Sequence, residues 1–147
     1  MKLDKFISTA GQQRIVDAIE QAEQATSGEI RVHIEPRCTS GDAYKRAVEK
    51  FNELKMYATE RRNGVLIYIA FESRCFAIIG DSGINEVVPS DFWDSEKNLL
   101  AQYLRSGDAT TGICLVIEAI GENLAKFFPP VDNDINEQPN EISYDEN

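Results

Sequence analysis

The chain has 147 residues, 42% of them hydrophobic, and a formal net charge of −10, which is enough for one packed core and too little for two. That charge argues against a phosphate-backbone binder, which needs clustered Lys and Arg, and makes cations the natural partners. Cys38, Cys75 and Cys114 are odd in number and show no CxxC spacing, so neither a disulfide framework nor a zinc site follows.

The opening MKLDKFISTAGQQ carries charges where a signal peptide has its apolar stretch. No segment reaches the roughly 18 to 20 apolar residues of a membrane span. The expectation is a cytoplasmic monomer with neither a membrane nor a nucleic-acid partner. Thr9 and Gln12 have the spacing of a capping box, and Ile15, Ala18, Ile19 and Ala22 follow at helical intervals, which predicts a first helix from about Ala10 to Ala25. Thr26-Ser27-Gly28 ends it. Residues 29–35, EIRVHIE, then alternate, with Ile30, Val32 and Ile34 on one face and Glu29, Arg31, His33 and Glu35 on the other. That pattern fits a strand near the sheet edge with one wet face. His33, the only histidine, reads as a solvated or cross-strand-paired residue rather than a catalyst.

Ser40-Gly41-Asp42 is a turn with an N-cap, and Ala43, Ala47, Phe51, Leu54 and Ala58 predict a second helix to about Thr59. The run from Gly64 to Phe71 is apolar, unbroken and rich in Val and Ile, as in a strand buried on both faces at the centre of a sheet. Glu72, Ser73 and Arg74 turn the chain into a third strand, Cys75 to Ile79. Strand, helix, strand makes the first two strands parallel through a right-handed crossover, and the hairpin adds an antiparallel one. Val87 and Val88 suit a brief edge strand. Ser90 or Asp91 caps a third helix carrying Trp93, Leu99, Leu100, Tyr103 and Leu104, which Ser106-Gly107-Asp108 breaks. Ile113, Val116, Ile117, Ile120, Leu124 and Phe127 keep the helical period, so a fourth helix precedes Pro129-Pro130.

The remainder, 129–147, holds six carboxylates and no basic residue, leaving −4 for residues 1–128. It is expected to be a disordered acidic tail beside a domain spanning 1–128. Asp132, Asp134 and Asn136 imitate the start of an EF-hand loop, but Glu137 and Ser143 stand where the obligatory Gly and the bidentate Glu belong. No Walker A, dinucleotide or HExxH motif is present.

The topology brings candidate ligands together. With the first two strands parallel and the third antiparallel, Asp81 lies at the sheet edge where Glu29 and Asn63 begin the other two. Asp91 and Asp94 leave from the same edge. Carboxylates and an amide gathered there suit a hard cation such as Ca²⁺ or Mg²⁺. Asp91 and Asp94 read equally well as residues of a helix start, and Asp42 and Asp108 read as caps.

Ser27-Gly28-Glu29-Ile30-Arg31-Val32, Arg62-Asn63-Gly64-Val65-Leu66-Ile67, the strand ending Ile79-Gly80-Asp81-Ser82-Gly83-Ile84, and Arg105-Ser106-Gly107-Asp108 with Thr111-Gly112-Ile113 together resemble the TPM domain family over residues 4–128. The resemblance implies a three-layer α/β/α sandwich around a small mixed sheet flanked by about four helices. It also implies divided functions: acid phosphatases in thylakoid photosystem repair, a type that assists an acetylcholine receptor, and bacterial domains that bind divalent cations. Many members are exported and membrane-anchored, a pattern from which this chain is expected to depart. The Asn63-Gly64 turn, the Gly80 to Gly83 loop and the acidic segment after it correspond by position to the family's shared cleft. The leading expectation is a Ca²⁺ or Mg²⁺ site built from Asp81, Asp91, Asp94, Glu29 and Asn63. The alternatives are a metal-assisted phosphatase with Asp81 as ligand or nucleophile, and an interaction module that meets a protein partner through the acidic tail or the Phe92-Trp93 corner.

Overall fold

The computed structural model describes residues 3–131 and 137–147; the EF-hand-like positions Asp132, Asp134 and Asn136 lie outside them. Among the described residues the hydrophobic periods become α1 (Leu3–Phe6), α2 (Thr9–Ala25), β1 (Glu29–Glu35), α3 (Ala43–Glu53), β2 (Gly64–Ala70), β3 (Cys75–Gly80), α4 (Ser82–Asn85), α5 (Asp94–Ser106), α6 (Ala109–Ala125) and β4 (Ser143–Tyr144). Four helices are long, as expected, and two are single turns.

The sheet order is β3-β2-β1-β4. β1 is parallel to β2, with Glu29 opposite Gly64, and β2 is antiparallel to β3, with Val65 opposite Gly80. Alternation along the strands sorts the core into two layers. Ile30, Val32, Ile34, Val65, Ile67 and Ile69 pack with α2, α5 and α6 on one face. Leu66, Tyr68, Ala70, Ala77 and Ile79 pack with Ala47 and Phe51 of α3 on the other. The result is the α/β/α sandwich, and each fully buried Ile or Leu contributes roughly 1.5–3 kcal/mol by leaving water.

Helix boundaries follow local chemistry. Ser8 rather than Thr9 caps α2, its hydroxyl accepting from the Gly11 N–H at 3.0 Å. Gln12 reaches back to the Ile7 carbonyl at 3.1 Å. Asp42 and Asp108 cap α3 and α6, and Gly107, in the left-handed region at φ 83°, ends α5. Val87 and Val88 form a turn instead of an edge strand, both N–H groups donating to the Ile84 carbonyl. Neither Ser90 nor Asp91 caps α5, which starts after Trp93 without a side-chain cap.

Two expectations are corrected. β1 has a neighbour on each side, and its polar face is dry: His33 and Glu35 are fully buried beneath α3. Residues 137–147 are no disordered tail. They run alongside β1, with the Glu137 N–H donating to Glu29 Oε1 at 2.7 Å, β4 pairing in parallel with His33 and Ile34, and Asn147 exchanging two 2.8 Å hydrogen bonds with the Arg37 backbone. An open strand edge is a template for any extended segment, and Ile142 and Tyr144 add apolar contacts that overall composition hides.

Candidate functional site

Strand register places Glu29, Asn63 and Asp81 at one end of the sheet. The Glu29 N–H donates to the Asn63 carbonyl at 3.2 Å, and the Asp81 N–H to the Gly64 carbonyl at 2.9 Å. All three residues are buried, yet their side chains have different engagements. The Asp81 carboxylate takes a fork from Arg62, Nε at 2.6 Å and Nη2 at 2.9 Å, and accepts from the Ser82 N–H at 2.7 Å, which starts α4. Glu29 accepts from the Glu137 backbone. Asn63 is different: it is 1% exposed, and neither its Oδ1 nor its Nδ2 has a hydrogen-bond partner among the described residues. Asp91 and Asp94 are exposed, with Asp94 in the first turn of α5. Among the described residues, Glu29, Asp81, Asp91 and Asp94 do not form a group of three with ligand atoms within 4.8 Å of one another.

Gly83 makes the Asp81 loop possible. Its N–H donates to the Arg62 carbonyl at 2.9 Å, and an added Cβ would stand 2.1 Å from the Arg61 carbonyl oxygen. Only glycine permits that approach. The loop is thereby pressed onto the segment that carries both Arg62 and Asn63.

A second constellation sits at the other end of β1. The buried Glu35 carboxylate accepts from Arg46 Nε and Nη2, both at 2.9 Å, and from Tyr68 Oη at 2.5 Å. His33 Nε2 lies 3.0 Å from Glu35 Oε1, and its Nδ1 lies 2.9 Å from Ser143 Oγ. Lys50, almost fully buried, donates to Asp145 at 2.7 Å and to Glu53 at 2.8 Å. His33, Glu35 and Asp145 hold ligand-type atoms within 4.8 Å of one another. Arg46 and Lys50 already balance the two carboxylates, so this group reads as an ion-pair network rather than a vacant hard-cation site. Sequence reasoning missed it because a charged lid and water leave the same alternation on β1. The usable signal was Arg46 and Lys50, four residues apart on one face of α3.

Burial favours the neutral form of Glu35, but the hydrogen bonds from Arg46, Tyr68 and His33 outweigh it and hold the pKa at about 2. For His33, burial lowers the pKa below 6.5. The bond to Glu35 opposes this, Lys50 reinforces it, Asp145 opposes it, and the net shift is downward. Both folded-state pKa values lie below their unfolded values, so the unfolded chain binds more protons in each window and stability falls as pH falls. The urea midpoint should decline first below about pH 6.5 and again between pH 4.5 and about 2. His33→Gln should remove the first decline; a midpoint flat from pH 8 to 5 in the parent chain would contradict this assignment.

A small mixed sheet between three long helices and one defines an α/β/α sandwich domain with an acidic, Gly-flanked loop after its third strand. The chain belongs to the TPM domain family, whose pattern matches residues 1–123. It is 45% identical to the BA42 protein of the psychrophilic bacterium Bizionia argentinensis, whose NMR structure superposes with a TM-score of 0.91 over 98% of this chain and 99% of that one. The N-terminal domain of the cg2496 protein from Corynebacterium glutamicum is 18% identical, with a TM-score of 0.64 over 79% of this chain and 72% of that one, and shares the fold. No curated protein matches. No helix among the described residues is long and apolar enough to cross a membrane.

Proposed function

We propose that this TPM domain binds a divalent cation, Ca²⁺ or Mg²⁺, at the end of the sheet where Glu29, Asn63 and Asp81 begin or follow the strands. Asp91, exposed on the segment between α4 and α5, and Asp94, exposed at the start of α5, join by turning toward the ion. The observation that carries this reading is the buried Asn63 amide, because a polar group sealed from water without a partner costs about 1–3 kcal/mol unless a ligand, ion or water meets it. Its donor set fits a hard cation, which needs oxygens: Asn63 Oδ1 and the Glu29 and Asp81 carboxylates. The bound ion would neutralise the local negative charge and tie the loop to the strand ends.

Arg62 is the built-in competitor. Its guanidinium occupies the Asp81 carboxylate, but the side chain is half exposed and can swing into water. Cation binding then exchanges one positive partner of Asp81 for another. At a hundredfold excess over Kd the ion should stabilise the fold by about 2.7 kcal/mol, read as a rise in Tm of several degrees. Asp81→Ala should abolish that rise, and Arg62→Gln should enlarge it by freeing the carboxylate. A rise unchanged in both variants would sink the site.

A further inference from the structure

Residues 137–147 behave as a bound peptide. They follow β1 from Glu29 to Arg37, and the two-residue strand β4 adds to its outer edge in parallel register. The Asp145 N–H donates to the Ile34 carbonyl at 3.2 Å, which continues the ladder. Beneath the ladder, the Asp145 carboxylate enters a hollow walled by Lys50 Nζ at 2.7 Å, His33 Nε2 at 3.6 Å and Arg46 Nη2 at 3.6 Å. Two positions earlier Ser143 Oγ meets His33 Nδ1. Backbone pairing along an edge combined with pockets for alternate side chains is how sheets recognise extended peptides.

We propose that the β1 edge and the hollow formed by Lys50, Arg46 and His33 are a strand-addition site for an extended acidic peptide of a partner protein, with residues 142–147 as its resident occupant. Charge complementarity selects the ligand. Lys50, buried and shared with Glu53, carries the positive charge and His33 is a neutral hydrogen-bond partner, while Asp145 is the removable anion, its side chain 43% exposed. The fitting motif is a small hydroxyl residue, a large apolar or aromatic residue and then a carboxylate, as in Ser143-Tyr144-Asp145. An incoming strand can also improve on the resident one, because β1 is seven residues long and β4 pairs with two of them. The chain's own segment competes at the high effective concentration of a tethered ligand, so it sets the threshold a partner must exceed.

The test uses the full chain and a fluorescein-labelled peptide with the sequence of residues 137–147. Asp145→Lys places a cation against Lys50 and Arg46 and expels the resident segment, so this variant should bind the peptide at least tenfold more tightly than the parent chain. Adding Lys50→Glu should remove at least tenfold of that affinity. In the parent chain, excess unlabelled peptide should move the amide signals of Ser143 to Asn147 toward free-peptide positions. That readout needs no variant, and it decides the matter if Asp145→Lys does not fold. Equal binding by parent and Asp145→Lys, affinity indifferent to Lys50→Glu, or unmoved tail signals at millimolar peptide would each overturn the proposal. Concentration-dependent dimers of the parent chain that Asp145→Lys abolishes would overturn it too, by making a second copy the occupant.

Discussion

Glu35→Ala should lower the free energy of unfolding by about 3–5 kcal/mol, the range for removing one partner of a buried ion pair. Glu35 is fully buried and is the single acceptor on which the Arg46 fork, Tyr68 Oη and His33 Nε2 converge. Without it, the buried phenol loses its acceptor, His33 Nε2 loses its 3.0 Å partner, and the Arg46 guanidinium is left with Glu49, Glu53 and Asp145 at 3.3 to 3.7 Å. The lowered Glu35 pKa, about 2, points the same way: burial alone would raise it, and the donors around the carboxylate hold it ionised. Glu35→Gln keeps the shape and one acceptor oxygen and should cost distinctly less. Urea unfolding at pH 7 reads both. A loss below about 1 kcal/mol for the alanine variant would show that the network is balanced by water rather than by the protein.

Gly83→Ala should cost about 3 kcal/mol, at the upper end of ordinary overpacking. The obstacle is backbone: the new methyl would meet the Arg61 carbonyl oxygen at 2.1 Å and the Arg62 carbonyl oxygen at 2.7 Å. Neither atom can move without disturbing Asn63 and β2. The substitution should therefore also pull Asp81 away from Arg62, and the amide signals of residues 61–64 and 80–84 should shift together. Gly41→Ala is the contrast. Nothing lies within 4 Å of a Cβ there, and the positive φ of 74° carries the whole cost, about 1 kcal/mol. Equal losses at the two glycines would contradict the packing argument.

Much of this architecture was legible because its signals are local. The apolar run from Gly64, the helical periods of α2 and α6 and the Asp42 and Asp108 caps each report neighbours a few residues away. The parallel-then-antiparallel topology followed from their order, and with it the meeting of Glu29, Asn63 and Asp81 at one sheet edge. What was not legible depends on contacts distant in sequence. Alternation in EIRVHIE shows that one face of β1 is polar, but not that α3 and residues 137–147 seal it from water 11 to 110 residues away. The acidic composition of residues 129–147 suggested disorder because composition averages over a segment, whereas docking rests on a few groups: Ile142, Tyr144 and Asp145 against an open strand edge. Arg62 stands next to Asn63 in the sequence but 19 residues from Asp81. That it closes on Asp81 itself requires the loop geometry imposed by Gly83.

The most direct test of the cation-binding reading is a two-dimensional amide NMR titration of the metal-free chain with Ca²⁺ and then Mg²⁺. Saturable shifts centred on Gly80 to Asp94, Glu29 and Asn63, including the Asn63 side-chain amide, are the predicted result. Shifts confined to residues 132–147, or none at all, would contradict it.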